Sequence, residues 1–373
     1  MRIALATPMK PIDDPRPSGD RTMARLILKA LQTAGHEVEI ATRFRAWRAD
    51  GGVEAQRLVE REALVEADRI AERWTREGTA PDLFLTYHLY HKAPDWIGPR
   101  LADLFSLPYA IIEASRAPKR QSGPWSHGFA AADKALARAD AVAALHRADA
   151  ECLSAVVEPK RLVVTPPFLD AAPYRLAAQA NEAHDGPVRL LAVGMMRDGD
   201  KERSYRILAE ALSGLQDLDW RLSIVGDGPA RDAILPLFPD SRLTFLGARD
   251  AADMPAIYAG HDVLVWPAIR EAFGFVFLEA QAAGLCVVGG DTFGVPDIVR
   301  DGETGLLSPE GDAAAFAANL RRVIGDAPLR HRLSRAAQAH VAARHDLAAG
   351  IGSLARFLDL ALQNRAGRFT PAS

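Results

Sequence analysis

The sequence predicts an α/β protein of two domains, and three observations carry that prediction. Short apolar, β-branched runs recur along the 373 residues, separated by longer stretches with helical apolar spacing. One stretch shows the repeating unit in full: Asp262-Val-Leu-Val-Trp266 and Pro267, a loop and helix from Arg270 to Gly284, then Leu285-Cys-Val-Val288. Strand, loop, helix, strand is one step of a parallel sheet. The length fits two domains of ordinary size, each with an ample core.

The helix of that central unit is expected to begin near Phe273 or Gly274 and to end at Ala283, with Gly284 as its C-terminal cap. Its N-terminus offers unpaired amides and the positive end of the helix dipole, which together suit a phosphate. Two carboxylates bracket this position, Glu271 in the loop and Glu279 inside the helix on the face of Phe275. At about 1.5 Å rise per residue, Glu279 lies roughly 8 Å along the axis from the first free amides. That offset suits a sugar hydroxyl on a nucleoside diphosphate; two solvated helix-face carboxylates are the plainer reading.

Taken in order, Arg2 to Thr7 reads as a strand, followed by a proline-rich loop and Ser18-Gly19-Asp20 at a helix start. Ser18 or Asp20 caps that helix, whose core face is Met23, Leu26, Ile27, Ala30 and Leu31 and which closes at Gly35. His36 to Thr42 is the second strand, and the first turn lacks the G-x-G-x-x-G of a dinucleotide oxidoreductase. Glu54 to Arg76 is a charged amphipathic helix. Pro81 to Tyr87 is a third strand, with His88 just beyond its carboxyl end, where open α/β sheets place ligands. His88 and His91 form a His-x-x-His pair without a third ligand nearby in sequence, so no metal is expected. Leu107 to Ile112 is the next strand. Glu113, Lys119 and Arg120 then read either as an exposed loop or as a face for an anionic acceptor.

Residues 171–187 are rich in turn formers and lack a strong apolar period, which marks an interdomain linker between domains spanning 1–170 and 188–345. Val188 to Val193 opens the second domain. Arg197 and Lys201 then place two cations on a glycine-containing turn before a helix from Glu202 to Leu215, as a phosphate clamp requires. Trp220 to Val225 leads into Gly226-Asp-Gly228, and Leu243 to Leu246 ends at Gly247. Lys+Arg of 45 against Asp+Glu of 48 leaves a net charge of −3 without a basic block, which argues against nucleic acid as a partner. Cys152 and Cys286 read as separate buried thiols of a reducing compartment. With no long apolar run and no signal-like start, a cytoplasmic protein is expected; peripheral membrane contact stays open, since amphipathic helices need no such run.

The string from Tyr258 to Leu307 resembles the donor-binding half of family-4 retaining glycosyltransferases of the two-domain GT-B architecture, with Glu271 and Glu279 as its E-x7-E motif. Leu222-Ser-Ile-Val-Gly-Asp-Gly-Pro229, Leu243 to Gly247, Gly294-Val-Pro-Asp-Ile-Val299 and Asp301-Gly-Glu-Thr-Gly-Leu-Leu307 follow in that family's order. The resemblance implies two Rossmann-like domains facing a cleft, with a C-terminal helix, 347–362, packing back on the first. It implies a nucleotide-sugar donor on the second domain, contacted by Gly226, Gly247, Phe273, Gly274, Phe275 and Glu279, and by Gly19 from the first. It implies catalysis by Glu271, Arg197, Lys201 and an imidazole, for which His88, His91 and His127 are candidates because Ala114 stands at the family's histidine position. Transfer to a saccharide or lipid-linked acceptor with retention, in envelope polysaccharide synthesis and without metal or other cofactor, is the implied activity. Met195, Ala114 and Asp20 depart from the family pattern, so a catalytically silent binding or scaffolding homologue is the alternative.

Overall fold

A computed structural model describes residues 1–16, 18–180, 184–238 and 241–368. They form two compact units, Met1–Pro167 with Leu347–Ser373, and Phe168–Asp346.

The first unit is built on β1 (Arg2–Ala6), β2 (Glu37–Ile40), β3 (Leu83–Leu89), β4 (Tyr109–Ala114), β5 (Ala141–Ala144) and β6 (Leu162–Val164). They pair in parallel in the order β2-β1-β3-β4-β5-β6. Its helices are α1 (Gly19–Thr33), α2 (Val53–Glu77), α3 (Ile97–Leu104), α4 (Ser126–Arg138), α5 (Arg147–Leu153) and the C-terminal α14 (Leu347–Gly367), which packs on α1 and β5. Covered on both faces, the central strands are almost continuously apolar rather than alternating. Ser18 caps α1, its hydroxyl accepting from the Arg21 amide at 3.3 Å.

Two strands run further than their sequence suggests. β3 and β4 each extend two residues beyond the expected end, so His88 and Glu113 lie in strands and not in loops. Both adopt left-handed backbone, φ 64 at His88 and φ 59 at Glu113, and pairing resumes behind them at Leu89↔Ala114. The two kinks stand side by side. A matched pair of kinks preserves the register, which a single kink would break.

The second unit carries β7 (Val188–Val193), β8 (Trp220–Val225), β9 (Leu243–Gly247), β10 (Val263–Trp266), β11 (Cys286–Asp291) and β12 (Leu306–Pro309). Their parallel order is β12-β11-β10-β7-β8-β9. Counted within the unit this is the 3-2-1-4-5-6 order of nucleotide-binding sheets, with the reversal between β7 and β10. Flanking helices are α6 (Ala172–Gln179), α7 (Asp200–Ser213), α8 (Arg231–Ile234), α9 (Met254–Ala259), α10 (Phe275–Ala282), α11 (Val295–Ile298), α12 (Ala313–Gly325) and α13 (Ala327–Arg344). Helix α6 occupies part of the expected linker and belongs to this unit, where it packs on α9 and α10. Pro173 in its first turn, read as a turn former, instead starts the helix. Residues 181–183 of that linker lie outside the described residues.

One buried carboxylate organises the first unit's core beside α3. Asp95 accepts from the Ile97 and Gly98 amides at 2.9 and 2.8 Å and from the Thr86 and Tyr109 hydroxyls at 2.5 and 2.8 Å. Asp95→Ala leaves four buried donors unpaired and should cost roughly 3 kcal/mol or more. Asp68→Ala, which removes an exposed pair with Arg100, should cost under about 1 kcal/mol. Urea unfolding of the two variants measures the difference.

Candidate functional site

Loops at the carboxyl edge of the second sheet converge where the strand order reverses. The chain leaving β7 turns at Gly194, whose missing Cβ would lie 2.7 Å from the Trp266 ring. The Gly194 carbonyl accepts from the Tyr205 hydroxyl at 2.7 Å, and Tyr205 packs edge-on against Trp266. The Met196 amide and carbonyl bond to Asp227 and Ala230, holding this turn on the loop after β8. A Cβ at Gly226 would stand 1.8 Å from the Gly194 carbonyl oxygen, and one at Gly228 would stand 2.3 Å from that of Met196. The G-x-G therefore serves backbone packing that positions the site. Gly247, at φ 69, accepts from the Gly226 amide at 2.9 Å and ties β9 to the same turn.

Helix α7 presents Lys201, Ser204 and Tyr205 on one face, the i, i+3, i+4 spacing. Ser204 Oγ accepts from the Ile269 amide at 3.0 Å, which pins the loop after β10 to this helix. That loop stores strain at Ala268 and Arg270, φ 56 and 50, and carries Glu271 back toward α7. Lys201 Nζ bonds Glu271 Oε2 and lies 5.2 Å from the Trp266 ring centre; Trp266 Nε1 donates to the same carboxylate oxygen at 3.4 Å. Lys201 and Glu271, expected as separate groups, thus form one pair. Arg197 is exposed and stands outside this pair, so of the two expected clamp cations only Lys201 is held in the cluster.

Helix α10 begins at Phe275 rather than Phe273, with Gly274 as N-cap at φ 70 and no side-chain cap. The open amides accordingly belong to Phe275 and the residue after it. Phe273 is buried and its ring packs edge-on against Phe275 at 5.3 Å, while a Cβ at Gly274 would press on Phe277 and Glu271. Glu279 is not a solvated helix-face carboxylate. Tyr258 donates to it at 2.8 Å and Tyr174 of α6 reaches it as well. Burial pushes its carboxyl above the usual range, and the two hydroxyls pull it part of the way back.

In the first unit Gly19 is exposed in the first turn of α1, beside Asp20. His88 Nδ1 lies 3.1 Å from Asp20 Oδ1 and 3.5 Å from Glu113 Oε1. Burial opposes charge on His88, but Glu113 and Asp20 outweigh it and raise the imidazolium to about 9. His91 packs edge-on against Trp125, and burial lowers it to about 4. His127 bonds Glu60 at 2.7 Å. Of the three candidate histidines, His88 therefore stands with the α1 turn. Glu113 is a half-buried partner of His88, so it does not share the exposed-loop reading given to Lys119 and Arg120.

Trp266, Ser204, Tyr205, Tyr258 and Tyr174 escaped the sequence reading. The α7 spacing and Tyr258 carried a readable helical signal. Tyr174 carried none, since its helix was taken for a linker.

Two Rossmann-like units in one chain define the GT-B fold class. Sucrose-phosphate synthase from Thermosynechococcus elongatus shares the fold over 97% of this chain and 99% of its own, at a TM-score of 0.75 and 20% identity. An Anabaena HepE structure in complex with UDP and glucose shares it over 96% and 99%, at 0.67 and 19%. A sequence model of the glycosyl transferases group 1 family matches residues 187–326, over a third of the chain. Sulfoquinovosyl transferase SQD2 of Arabidopsis thaliana is 32% identical over 155 residues, 41% of this chain and 30% of that protein. D-inositol 3-phosphate glycosyltransferase of Corynebacterium efficiens is 30% identical over 200 residues, 49% and 47%. The aligned regions span between about a third and half the length of these two curated relatives.

Gly226→Ala should cost roughly 3 kcal/mol or more, because backbone must move, whereas Gly311→Ala, at φ 84 with open space around it, should cost about 1–2 kcal/mol; urea midpoints give both. His88 supplies a second test. Its folded pKa of about 9 exceeds the ordinary 6.5, so its contribution is fully present below pH 6.5 and is lost as pH rises through about 9. Denaturation of wild type and His88→Gln across that window should show the wild type losing stability more steeply.

Proposed function

We propose that this protein transfers a sugar from a nucleoside diphosphate sugar to a saccharide or lipid-linked acceptor, with retention of anomeric configuration and no metal bridging the diphosphate. The observation that carries the reading is the Lys201–Glu271 pair on Trp266, set at the strand-order reversal next to the open N-terminus of α10.

In the proposed reaction the bond from the anomeric carbon to the diphosphate oxygen breaks. Negative charge then develops on the leaving phosphate. Lys201, exposed Arg197, and the first amides of α10 with Phe273 and Gly274 behind them oppose that charge as an oxyanion hole does. The acceptor oxygen forms the new bond on the face the phosphate leaves, and its proton passes to that phosphate. Glu271 orients sugar hydroxyls, Glu279 the ribose, and the turns at Gly226 and Gly247 the nucleoside. Gly19 and His88, in the first unit, are assigned substrate contacts.

The names of the relatives support this class of reaction, and the UDP held by HepE makes UDP-sugars the first donors to try. No described helix is long and apolar enough to cross a membrane. A lipid-linked acceptor would bring the protein to a membrane surface from the cytoplasmic side, where free Cys286, buried as expected, and Cys152, exposed rather than buried, stay reduced.

A panel of UDP-, GDP- and ADP-sugars without added metal tests the proposal. One nucleotide class should raise the unfolding temperature of the wild type by mass action, and Glu279→Ala should bind it about tenfold more weakly, roughly 1.4 kcal/mol. Lys201→Ala should release nucleoside diphosphate roughly 100-fold more slowly in the presence of acceptor. Binding without any release from intact donor, across a broad acceptor panel, would sink the transferase reading in favour of a silent binding subunit.

A further inference from the structure

We propose that Asp20, His88 and Glu113 of the first unit form a divalent-metal site of one imidazole and two carboxylates. The inference concerns this unit alone and does not rest on the transferase reading.

Topology brings the three together. In the order β2-β1-β3-β4, the chain leaves β1 toward one edge of the sheet and returns on its other side, so the reversal lies between β1 and β3. Asp20 stands in the first turn of α1, the helix that follows β1; His88 and Glu113 stand at the carboxyl ends of β3 and β4. Sequence separation hides this cluster completely. The left-handed backbone at two adjacent, bulky residues is a strained arrangement that costs of order 1–3 kcal/mol at each. It turns both side chains to one point.

Buried polar atoms at that point lack partners. Tyr87, 2% exposed, has a hydroxyl beside the Glu113 carboxylate without completing a hydrogen bond, and Glu113 Oε2 and His88 Nδ1 are likewise without one in good geometry. Such atoms are costly unless something else binds them. The field favours a cation: Asp149 acts on both His88 and Glu113, and Lys10 is the nearby opposing charge on Asp20.

Spacing argues for a cation, metal ion or proton, over a substrate hydroxyl shared by all three groups. Acceptors sharing one hydroxyl at about 2.8 Å stand roughly 4.5 Å apart. Ligands around one metal at about 2.1 Å stand roughly 3.0 Å apart in octahedral and 3.4 Å in tetrahedral geometry. The observed 3.1 and 3.5 Å match the metal edges, with all three ligand atoms within 4.8 Å of one another. A mixed nitrogen and oxygen set suits Zn2+ or Mn2+. A proton on Nδ1 occupies the place the metal would take. Transfer without a metal on the diphosphate is compatible with an ion here, since Asp20, His88 and Glu113 all belong to the first unit and the proposed donor groups to the second.

Calorimetric titration of the metal-stripped, tag-free full chain with ZnCl2 and with MnCl2 tests this. One equivalent of at least one ion should bind, with affinity reduced about 100-fold in His88→Ala and Glu113→Gln and about tenfold in Asp20→Asn. His340→Ala, which removes one member of a histidine pair outside the site, 3.3 Å from His345, should leave the affinity unchanged. Asp20 is the least buried of the three ligands, so Asp20→Asn keeps the test alive if the other two variants fail to fold. Absence of binding by wild type, or equal affinity in wild type and Asp20→Asn, overturns the site and leaves the trio an internal ion pair.

Discussion

The contact on which the second unit depends is between backbones: the Gly194 carbonyl lies where a side chain at residue 226 would begin. Because Gly226 has none, the turns after β7 and β8 close on each other, and the same carbonyl receives the Tyr205 hydroxyl. Tyr205 then fixes the Trp266 ring, and one turn earlier on the same helix Lys201 meets Glu271 over that ring. Steric permission at one glycine is thus converted into the position of a charge pair. The Ser204 bond to Ile269 adds a second anchor for the strained loop, so the pair sits on elements held from both sides.

Three carboxylates illustrate how differently the fold treats the same group. Glu271 faces an ammonium and an indole N–H. Glu279 faces two phenols in a buried setting, and its carboxyl is pushed up. Glu113 is raised first by burial and then by Asp20, against the opposing pull of His88. A hydroxyl-rich ligand would find a carboxylate paired to Lys201 at Glu271 and, at Glu279, a group that burial pushes toward its neutral form. Position on the sheet edge alone does not separate these roles; the partners do.

Legibility in the sequence followed how local each feature is. The strand, loop and helix around Trp266 to Gly284 could be read directly, because apolar runs and glycines mark them within one unit, and Glu271 and Glu279 came with them. The Lys201–Glu271 pair could not, since 70 residues separate its members and only the strand order joins them. Glu113 was taken for a loop residue because nothing in Ile112-Glu113-Ala114 announces left-handed backbone. Its kink is matched by the one at His88 in the neighbouring strand. Helix α6 was missed for a different reason: it packs on α9 and α10, and its own sequence is only eight residues long with proline in the first turn, too short for an apolar period to announce it.

That overlooked helix does more than fill a gap. Tyr174 reaches Glu279 and packs on Tyr258, while the next residue, Arg175, pairs with Asp346 at 2.6 Å. Asp346 is the last residue of the unit, and it also accepts from the Ala171 amide at 3.2 Å, next to a Leu169 to His345 backbone bond of 2.9 Å. The points where the chain enters and leaves the second unit are therefore fastened together, and the fastening shares one turn of α6 with Tyr174, which reaches the Glu279 carboxylate. Any ligand group that draws Glu279 away from Tyr174 must alter the packing of α6, and with it the helix that carries Arg175. Two neighbouring residues pointing to different partners are enough to make the candidate donor site and the unit's chain ends one mechanical element.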